Sequence, residues 1–178
     1  MTAIEFEWSP GRGDERYTGD RSAFDVYVRF RDAEGGKGFL AIEVKYHEDL
    51  EASKNEYRPR YDEVAARMRC FRTDSLQRLR EPGALQQMWR DHLLVGAHAD
   101  VDAFDDDIFV FLYPEVNTAC AAAVDAYDTC LTDHRTFQAW TLDAVVANLM
   151  VRTRAGWVRQ FHARYLDLDR LPGAGTVR

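Results

Sequence analysis

Two carboxylates and one lysine stand at alternating positions in two apolar segments that lie close together in the sequence. Asp25 lies in the segment 24–30, and Glu43 and Lys45 lie in the segment 38–46. Carboxylate oxygens are the ligands that hard divalent cations prefer, and a nearby lysine can orient or activate water or stabilise negative charge on a phosphate. These residue types suit hydrolysis of a phosphodiester, which needs a polarised phosphoryl oxygen, a water of lowered pKa and support for the leaving oxygen.

The pattern of both segments predicts two adjacent β-strands. Side chains along a strand point to opposite faces in turn, so Asp25 shares a face with Tyr27, and Glu43 shares a face with Lys45. The glycines of the intervening segment 32–37 are typical of a hairpin turn. The hairpin would bring the three charged residues to one face of a sheet. Buried charge there is costly unless a metal ion or a substrate uses it.

A purely structural interpretation of Glu43 and Lys45 is also open, because half-exposed strands often carry ion pairs with neighbouring strands. The surrounding residues favour the functional interpretation. The run 39–42 is apolar, as is Val44, which is typical of an interior strand with both faces covered. Charged side chains on such a strand need a partner or a ligand.

The order of these residues resembles a known family. Asp25 on one strand, followed after a turn by Glu43-Val44-Lys45, resembles the core of the PD-(D/E)XK, or restriction-endonuclease-like, nuclease superfamily. The resemblance implies an α/β fold, with a mixed β-sheet whose antiparallel hairpin carries the site and with α-helices on its faces. Four stretches are similar to a bacterial group of restriction endonucleases within it, so the resemblance covers most of the chain: Phe24-Asp25-Val26-Tyr27, the run 42–48, Gln87-Met88-Trp89-Arg90 and Phe111-Leu112-Tyr113-Pro114.

The resemblance also implies roles for single residues. Asp25 and Glu43 would bind Mg²⁺ or Mn²⁺, and Lys45 would orient or activate the attacking water. Phe24 rather than proline precedes Asp25, which is one departure from the pattern. A second departure is larger: members of the family usually begin with a helix, whereas the first strand is predicted here to start at Ile4. An acid from that helix would be missing or replaced.

Two other glutamates could supply the further acid. The segment 4–8 alternates, so Glu5 and Glu7 share a face, and Glu7 lies nearer the end of the strand. Glu7 is therefore the candidate for a third metal ligand, although two glutamates on an exposed edge strand would explain the pattern equally well. Glu48, just past the second strand of the hairpin, is a weaker candidate for an outer contact to the metal.

Helical segments follow the hairpin. The spacing of apolar residues predicts a helix over 83–97, in which Gln87 and Arg90 share a face. Related nucleases often use a Gln or Arg from this helix, which makes both residues secondary site candidates. Further predictions are a buried strand over 108–113, a helix over 117–131, a strand over 137–142, and closing helices over 141–152 and 156–166. The expected core residues of the two closing helices are Val145, Leu149, Trp157, Phe161 and Tyr165.

The segment 58–81 contains seven arginines against four acidic residues. Pro59 is suited to the first turn of a helix. One interpretation is a basic surface facing the substrate, which would involve Arg58, Arg60, Arg67 and Arg69. A solvated amphipathic helix with internal ion pairs is an equally good explanation.

Composition sets the bounds on these hypotheses. A chain of 178 residues with 46% hydrophobic content predicts one folded domain, comprising a site region (1–50), a helical and strand-completing region (57–168) and a frayed tail (171–178). The three widely spaced cysteines are typical of reduced, buried thiols, and no apolar run approaches the length of a membrane span. The N-terminus lacks the features of a signal peptide. We therefore expect a cytoplasmic protein.

The expected function is that of a metal-dependent DNA endonuclease in restriction or in defence against foreign DNA. The net charge of −7 argues against a protein that coats nucleic acid through a basic surface, but a nuclease site is itself acidic. A catalytically silent nuclease-like fold that binds nucleic acid or assembles with proteins is the alternative, and a nuclease for RNA or branched DNA is a third. Expected partners are DNA, a second copy of the chain, and a protein that supplies the missing N-terminal element.

Overall fold

A mixed five-stranded β-sheet forms the centre of the computed structural model, which describes residues 1–46 and 56–167. The strands are adjacent in chain order. The first three run antiparallel, and the third, fourth and fifth run parallel. They are β1 (Ala3–Trp8), β2 (Phe24–Arg31), β3 (Lys37–Val44), β4 (Asp106–Tyr113) and β5 (Phe137–Thr141).

The predicted hairpin is confirmed as β2 and β3, with Tyr27 opposite Ala41. Its turn is closed by Asp32, whose Oδ1 accepts a hydrogen bond of 2.6 Å from the Gly36 N–H. Gly35 has a φ of 92°, a left-handed conformation that glycine adopts without steric cost. The turn therefore fixes the register, and with it the residues that face each other across the two strands.

Six α-helices formed by residues 56–167 flank the sheet, and the α/β fold class is confirmed. Pro59 opens the first of them, as expected, and the side chain of Asn117 caps the fourth by accepting from the Cys120 N–H. None of the helices formed by the described residues is long and apolar enough to cross a membrane. They are α1 (Pro59–Met68), α2 (Leu76–Arg80), α3 (Ala84–Asp102), α4 (Thr118–Asp128), α5 (Leu142–Arg152) and α6 (Gly156–Tyr165).

The long helix α3 is the central element of the core. Every residue from 88 to 95 is buried, because the helix lies between the sheet and the other helices. Near its C-terminal end the helix is tied to β2, since His98 Nε2 lies 2.8 Å from the Tyr27 hydroxyl. The other ring nitrogen of His98 lies 2.7 Å from Asp102 Oδ2. This network and the apolar packing fix the position of α3 against the hairpin.

The predicted core of the two closing helices is wrong in its details. Leu149 is 36% exposed and Trp157 is 59% exposed, whereas Val146 and Val158 are buried in their place. Helix α5 packs against α6 and against the edge strand β5. One narrow side of each helix is therefore buried. The buried residues Val146 and Val158 each follow a predicted core residue, Val145 and Trp157, by one position. The predicted frayed tail over 171–178 lies outside the described residues.

Candidate active site

The hairpin brings Asp25 and Glu43 to neighbouring positions. Val26 pairs with Ile42, so the same register places Asp25 across from Glu43 one residue further along. Asp25 Oδ2 accepts a hydrogen bond of 2.7 Å from the Val44 N–H. A backbone donor at the end of β3 therefore holds the carboxylate of Asp25 in place.

Alternation fails on one side of this position. Strict alternation would turn Phe24 away from Tyr27, but both are buried in the same core, with ring centroids 6.3 Å apart. Trp8, the partner of Phe24, stacks on Tyr27 as well, and the preceding Glu7 has a φ of 50°. The left-handed residue breaks the regular alternation at the end of β1. The aromatic rings of both strands therefore turn towards the core.

Glu43 and Lys45 form a buried ion pair on the same face of the hairpin. Lys45 Nζ lies 2.6 Å from Glu43 Oε1, and the two residues are 9% and 6% exposed. The Gln87 side chain donates to the same oxygen at 3.1 Å, so α3 takes part in the site. The Lys45 N–H donates to the carbonyl of Leu112 on β4, which fixes the backbone just past the end of β3.

The charges of this pair are strongly perturbed. Burial, with a further contribution from the Asp91 carboxylate, raises the pKa of Glu43 from 4.5 to about 8. Burial works against the charge of Lys45, but the carboxylates around it outweigh this effect, so its pKa lies above the ordinary value. Lys45 is therefore a protonated hydrogen-bond donor. The negative charge of the carboxylates around Glu43 is more than one lysine can balance.

Asp91 is a further acid that the sequence did not reveal. It lies on α3 and is 2% exposed, and burial raises its pKa to about 6. Its Oδ1 is 3.5 Å from Arg90 Nε, and its Oδ2 has no hydrogen-bond partner in the described part of the chain. A charged pair inside a helix with apolar residues on every side was the signal that could have identified it.

A second acid, Asp20, borders this group from the loop that follows β1. Its Oδ2 accepts a hydrogen bond of 2.6 Å from the Tyr61 hydroxyl on α1, and its Oδ1 accepts from the Ser22 N–H at 2.8 Å. Its charge contributes to the raised pKa of Asp91. Three parts of the fold, the hairpin, this loop and α3, therefore supply acids to one region.

The other predicted acids are not brought to this region. Glu7 is exposed, and no hydrogen bond or ion pair joins its side chain to another described residue. Its assignment as a metal ligand stays a prediction with no structural contact to support it. Glu48 lies outside the described residues.

The four arginines proposed for substrate binding fall into two groups. Arg60 donates to the carbonyls of Tyr17 and Arg16, and Arg67 pairs with Asp100 at 2.7 Å, so both have structural partners. Arg58 and Arg69 are exposed, and neither side chain forms an ion pair with a described residue. Arg58 is the N-cap residue of α1, and its carbonyl accepts a hydrogen bond from the N–H of Tyr61, whose hydroxyl donates to Asp20.

Comparison with known families assigns the chain to one of them. A sequence model of the PD-(D/E)XK nuclease superfamily matches residues 1–167. The chain belongs to this superfamily. No curated protein and no solved structure matches the chain. For a PD-(D/E)XK protein, the five-stranded mixed sheet with flanking helices is consistent with a restriction-endonuclease-like fold, and membership points to nuclease activity in general.

Nucleases of the PD-(D/E)XK superfamily generally use divalent metal ions, and the residues present fit such an ion. Among residues 1–46 and 56–167, no three His, Cys, Asp or Glu side chains are placed to enclose a metal. Mg²⁺ does not need such a cage, because it keeps several waters and is often bound by one or two carboxylates together with substrate phosphates. The groups that influence one another here carry an excess of two negative charges: Asp20, Asp25, Glu43 and Asp91 against Lys45 and Arg90.

Proposed function

We propose that this protein is a divalent-metal-dependent endonuclease that hydrolyses phosphodiester bonds of DNA. The observation that supports this proposal most directly is the convergence of Asp25, Glu43 and Lys45 on one face of the hairpin. Asp25 is held by the Val44 N–H, and Glu43 and Lys45 form a 2.6 Å pair that is almost fully buried. A buried ion pair surrounded by further carboxylates is a poor way to stabilise a fold, which favours a functional role.

Asp25 and Glu43 are the residues that would hold Mg²⁺ or Mn²⁺. Such an ion would polarise the phosphoryl oxygen and lower the pKa of the attacking water. Glu43 must be ionised before its carboxylate can serve as a ligand, and the ion would then compete with Lys45 for that carboxylate. Binding of the ion would therefore free the Lys45 ammonium for another acceptor.

Lys45 then acts as a hydrogen-bond donor rather than as a base. In the metal-free protein the surrounding carboxylates hold the pKa of Lys45 above its ordinary value, so the side chain is an ammonium before the ion binds. An ammonium in a site with little solvent can orient the water through its oxygen and stabilise the charge that develops on the phosphate. Gln87, which already donates to Glu43, would keep this carboxylate in position.

DNA as the substrate, and a role in restriction or defence, are parts of the proposal that rest on the family resemblance. A protein with a net charge of −7 must bind a polyanion through local cations, of which Arg58 is the best placed. Cleavage of both strands of a duplex would require two sites, so we propose a homodimer as the active form. We also propose a cytoplasmic location, because a role in restriction or defence requires access to the DNA.

One observation favours a second candidate function. Because Glu7, the candidate for a third metal ligand, has no side-chain contact with the site among the described residues, the fold could instead bind nucleic acid or proteins without cleaving anything. The two candidates differ in their response to metal. A nuclease needs the ion for turnover, whereas a binding module of this kind needs neither the ion nor Lys45.

The deciding experiment is a cleavage assay on supercoiled plasmid, linear duplex, single-stranded DNA and RNA. Each substrate is tested with Mg²⁺, Mn²⁺ and EDTA, using the wild-type protein, Glu43→Gln and Lys45→Met. We expect nicking and linearisation of the plasmid with Mg²⁺ or Mn²⁺, and none with EDTA or with either variant. A wild-type protein that is inactive on every substrate with every metal would favour the binding module, and cleavage of RNA alone would correct the substrate.

A further inference from the structure

The carboxylate of Asp91 is buried without sufficient partners. Asp91 is 2% exposed, and its Oδ2 is closed off from solvent with no hydrogen-bond partner among the described residues. A buried carboxylate oxygen that lacks a donor is strongly unfavourable, because it has lost its water and gained nothing in exchange. Such an atom in a native fold needs an explanation, such as a water or an ion that the protein holds there.

Arg90 does not provide that explanation. Its Nε lies 3.5 Å from Asp91 Oδ1, which is too long for a good charge-assisted hydrogen bond. Arg90 is itself 8% exposed, and its Nε and Nη1 are also enclosed without partners in the described part of the chain. The two residues balance each other's charge, but neither fills the hydrogen-bonding capacity of the other.

The position of Asp91 on α3 directs it towards the metal-binding residues. Residues four apart on a helix lie on the same face, so Asp91 is one turn beyond Gln87, whose side chain contacts Glu43. The contact of Gln87 shows that this side of α3 faces the pair formed by Glu43 and Lys45, and Asp91 lies on the same side of the helix.

We infer that Asp91 is a third acid of this site, a positioning residue that acts through the hydration shell of the divalent cation held by Asp25 and Glu43. The inference rests on the proposed function. An indirect contact is required because no three acids among the described residues enclose an ion. It is also chemically natural, since Mg²⁺ keeps several waters and carboxylates around a metal commonly accept hydrogen bonds from its inner ligands.

This role would give the site the further acid for which Glu7 was the candidate from the sequence. Glu7 on β1 is exposed and has no side-chain contact with the site among the described residues. Asp91 offers a buried carboxylate from α3 instead. Asp91 and Glu7 are thus competing candidates for the same role, and they can be compared directly.

The test measures metal affinity rather than cleavage. Mn²⁺ is titrated calorimetrically into the wild-type protein, Asp91→Asn and the matched control Glu7→Gln, each of which removes one negative charge. We expect Asp91→Asn to weaken Mn²⁺ binding about ten- to a hundredfold, the usual effect of losing an outer partner of a metal site. We expect Glu7→Gln to bind Mn²⁺ as the wild type does. Equal Mn²⁺ affinity in Asp91→Asn and the wild type would overturn the inference.

Thermal unfolding separates this role from a purely structural one. If Asp91 serves only to balance Arg90, Asp91→Asn will lower the unfolding temperature in EDTA and leave the rise produced by Mn²⁺ unchanged, which contradicts the inference. If Asp91 serves the ion, the rise produced by Mn²⁺ will shrink. Should Asp91→Asn fail to fold, the double variant Arg90→Met/Asp91→Asn removes both buried charges. Weakened Mn²⁺ binding by this double variant supports the inference, and unchanged binding overturns it.

Failure of this inference and failure of the proposed function give different results. Mn²⁺ binding that depends on Asp91 in a protein that cuts no nucleic acid would support this inference and contradict the nuclease proposal. Metal-dependent cleavage by a protein whose Mn²⁺ affinity is unchanged in Asp91→Asn would support the nuclease proposal and contradict this inference.

Discussion

Gln87 on α3 donates a hydrogen bond of 3.1 Å to Glu43 Oε1, the same oxygen that Lys45 approaches within 2.6 Å. This contact joins two elements that are 44 residues apart in sequence. It gives Glu43 one donor that keeps its place whatever the state of Lys45. The contact therefore allows the role of α3 to be tested separately from the role of the hairpin.

We expect Gln87→Ala to lower the rate of cleavage about tenfold or more while changing the affinity for DNA little. Without the amide, the Glu43 carboxylate loses a positioning partner, and orientation affects the reaction more than binding. Single-turnover cleavage with Mg²⁺ and DNA binding with Ca²⁺ measure the two quantities. Gln77→Ala, on the exposed side of α2 and bonded only to Glu81 among the described residues, is the control and should change neither. A loss of affinity that matches the loss of rate would contradict this expectation.

Asp25→Asn, Glu43→Gln and Lys45→Met should each reduce cleavage at least about a hundredfold while the protein remains folded. Asparagine and glutamine preserve the shape of the acids, so the hydrogen bonds from Val44 and Gln87 can still form. At a pH above 8, where Glu43 is ionised, Glu43→Gln should also raise the unfolding temperature in EDTA, because it removes a buried charge that repels its neighbours. Circular dichroism melts in EDTA check this second effect, and a large fall in melting temperature would contradict it.

The contribution of Glu43 to the stability of the metal-free protein should fall as the pH rises from about 5 to about 8. Glu43 holds its proton with a pKa of about 8 in the folded protein and near 4.5 when unfolded, so the folded state binds more protons over this range. The stabilising contribution is complete below pH 4.5 and is lost as the pH passes 8. Asp91, with a pKa raised to about 6, adds to the effect in the same direction at lower pH.

Urea unfolding in EDTA across this pH range measures the free energy of unfolding. The difference in stability between Glu43→Gln and the wild type should grow with pH by an amount on the order of a few kcal/mol, since the glutamine has no proton to lose. Saturating Mn²⁺ should reverse the trend for the wild type, because the ion binds the ionised carboxylate. Parallel pH profiles for the two proteins would show that Glu43 is not the group responsible.

Arg58→Ala should weaken DNA binding and reduce the slope of log affinity against log salt concentration by about one unit. Arg58 is exposed beside Tyr61 at the start of α1, close to the acidic region, and its side chain pairs with no described carboxylate. Arg67→Ala is the matched control. Arg67 lies at the other end of α1, and its side chain already pairs with Asp100 of α3. Binding in Ca²⁺ at several salt concentrations is the measurement. Equal slopes for the two variants would assign the arginines of α1 to helix solvation.

The hairpin and the positions of its charged residues could be predicted from sequence because strand alternation is a strong, local signal. Asp25, Glu43 and Lys45 follow a period of two, and the glycines after Asp32 indicate the turn. The helices were predicted for the same kind of reason, since Pro59 and Asn117 stand at the two starts that the structure confirms. These features depend on neighbours within a few residues.

Asp91 and Asp20 could not be predicted in this way because their roles depend on contacts between distant parts of the chain. Asp91 lies in a helix whose burial is complete only because the sheet, α1 and α4 surround it. Asp20 follows no periodic pattern, and its partner Tyr61 is 41 residues away. The stripe of α5 and α6 was misjudged for a related reason, since the depth to which Val146 and Val158 are buried depends on packing at the edge of the sheet.

The two attachments of α3 have a consequence for engineering. Gln87 touches Glu43 at one end of the helix, and His98 contacts Tyr27 eleven residues later, a separation of about 16 Å along a stiff rod. The helix thus fixes the position of the Glu43 carboxylate relative to the aromatic residues packed around His98. A hairpin transplanted alone onto another scaffold would carry Asp25, Glu43 and Lys45 but would lose their alignment. Variants selected for tighter packing around His98 should, in turn, retune a reaction that occurs well beyond the reach of that side chain.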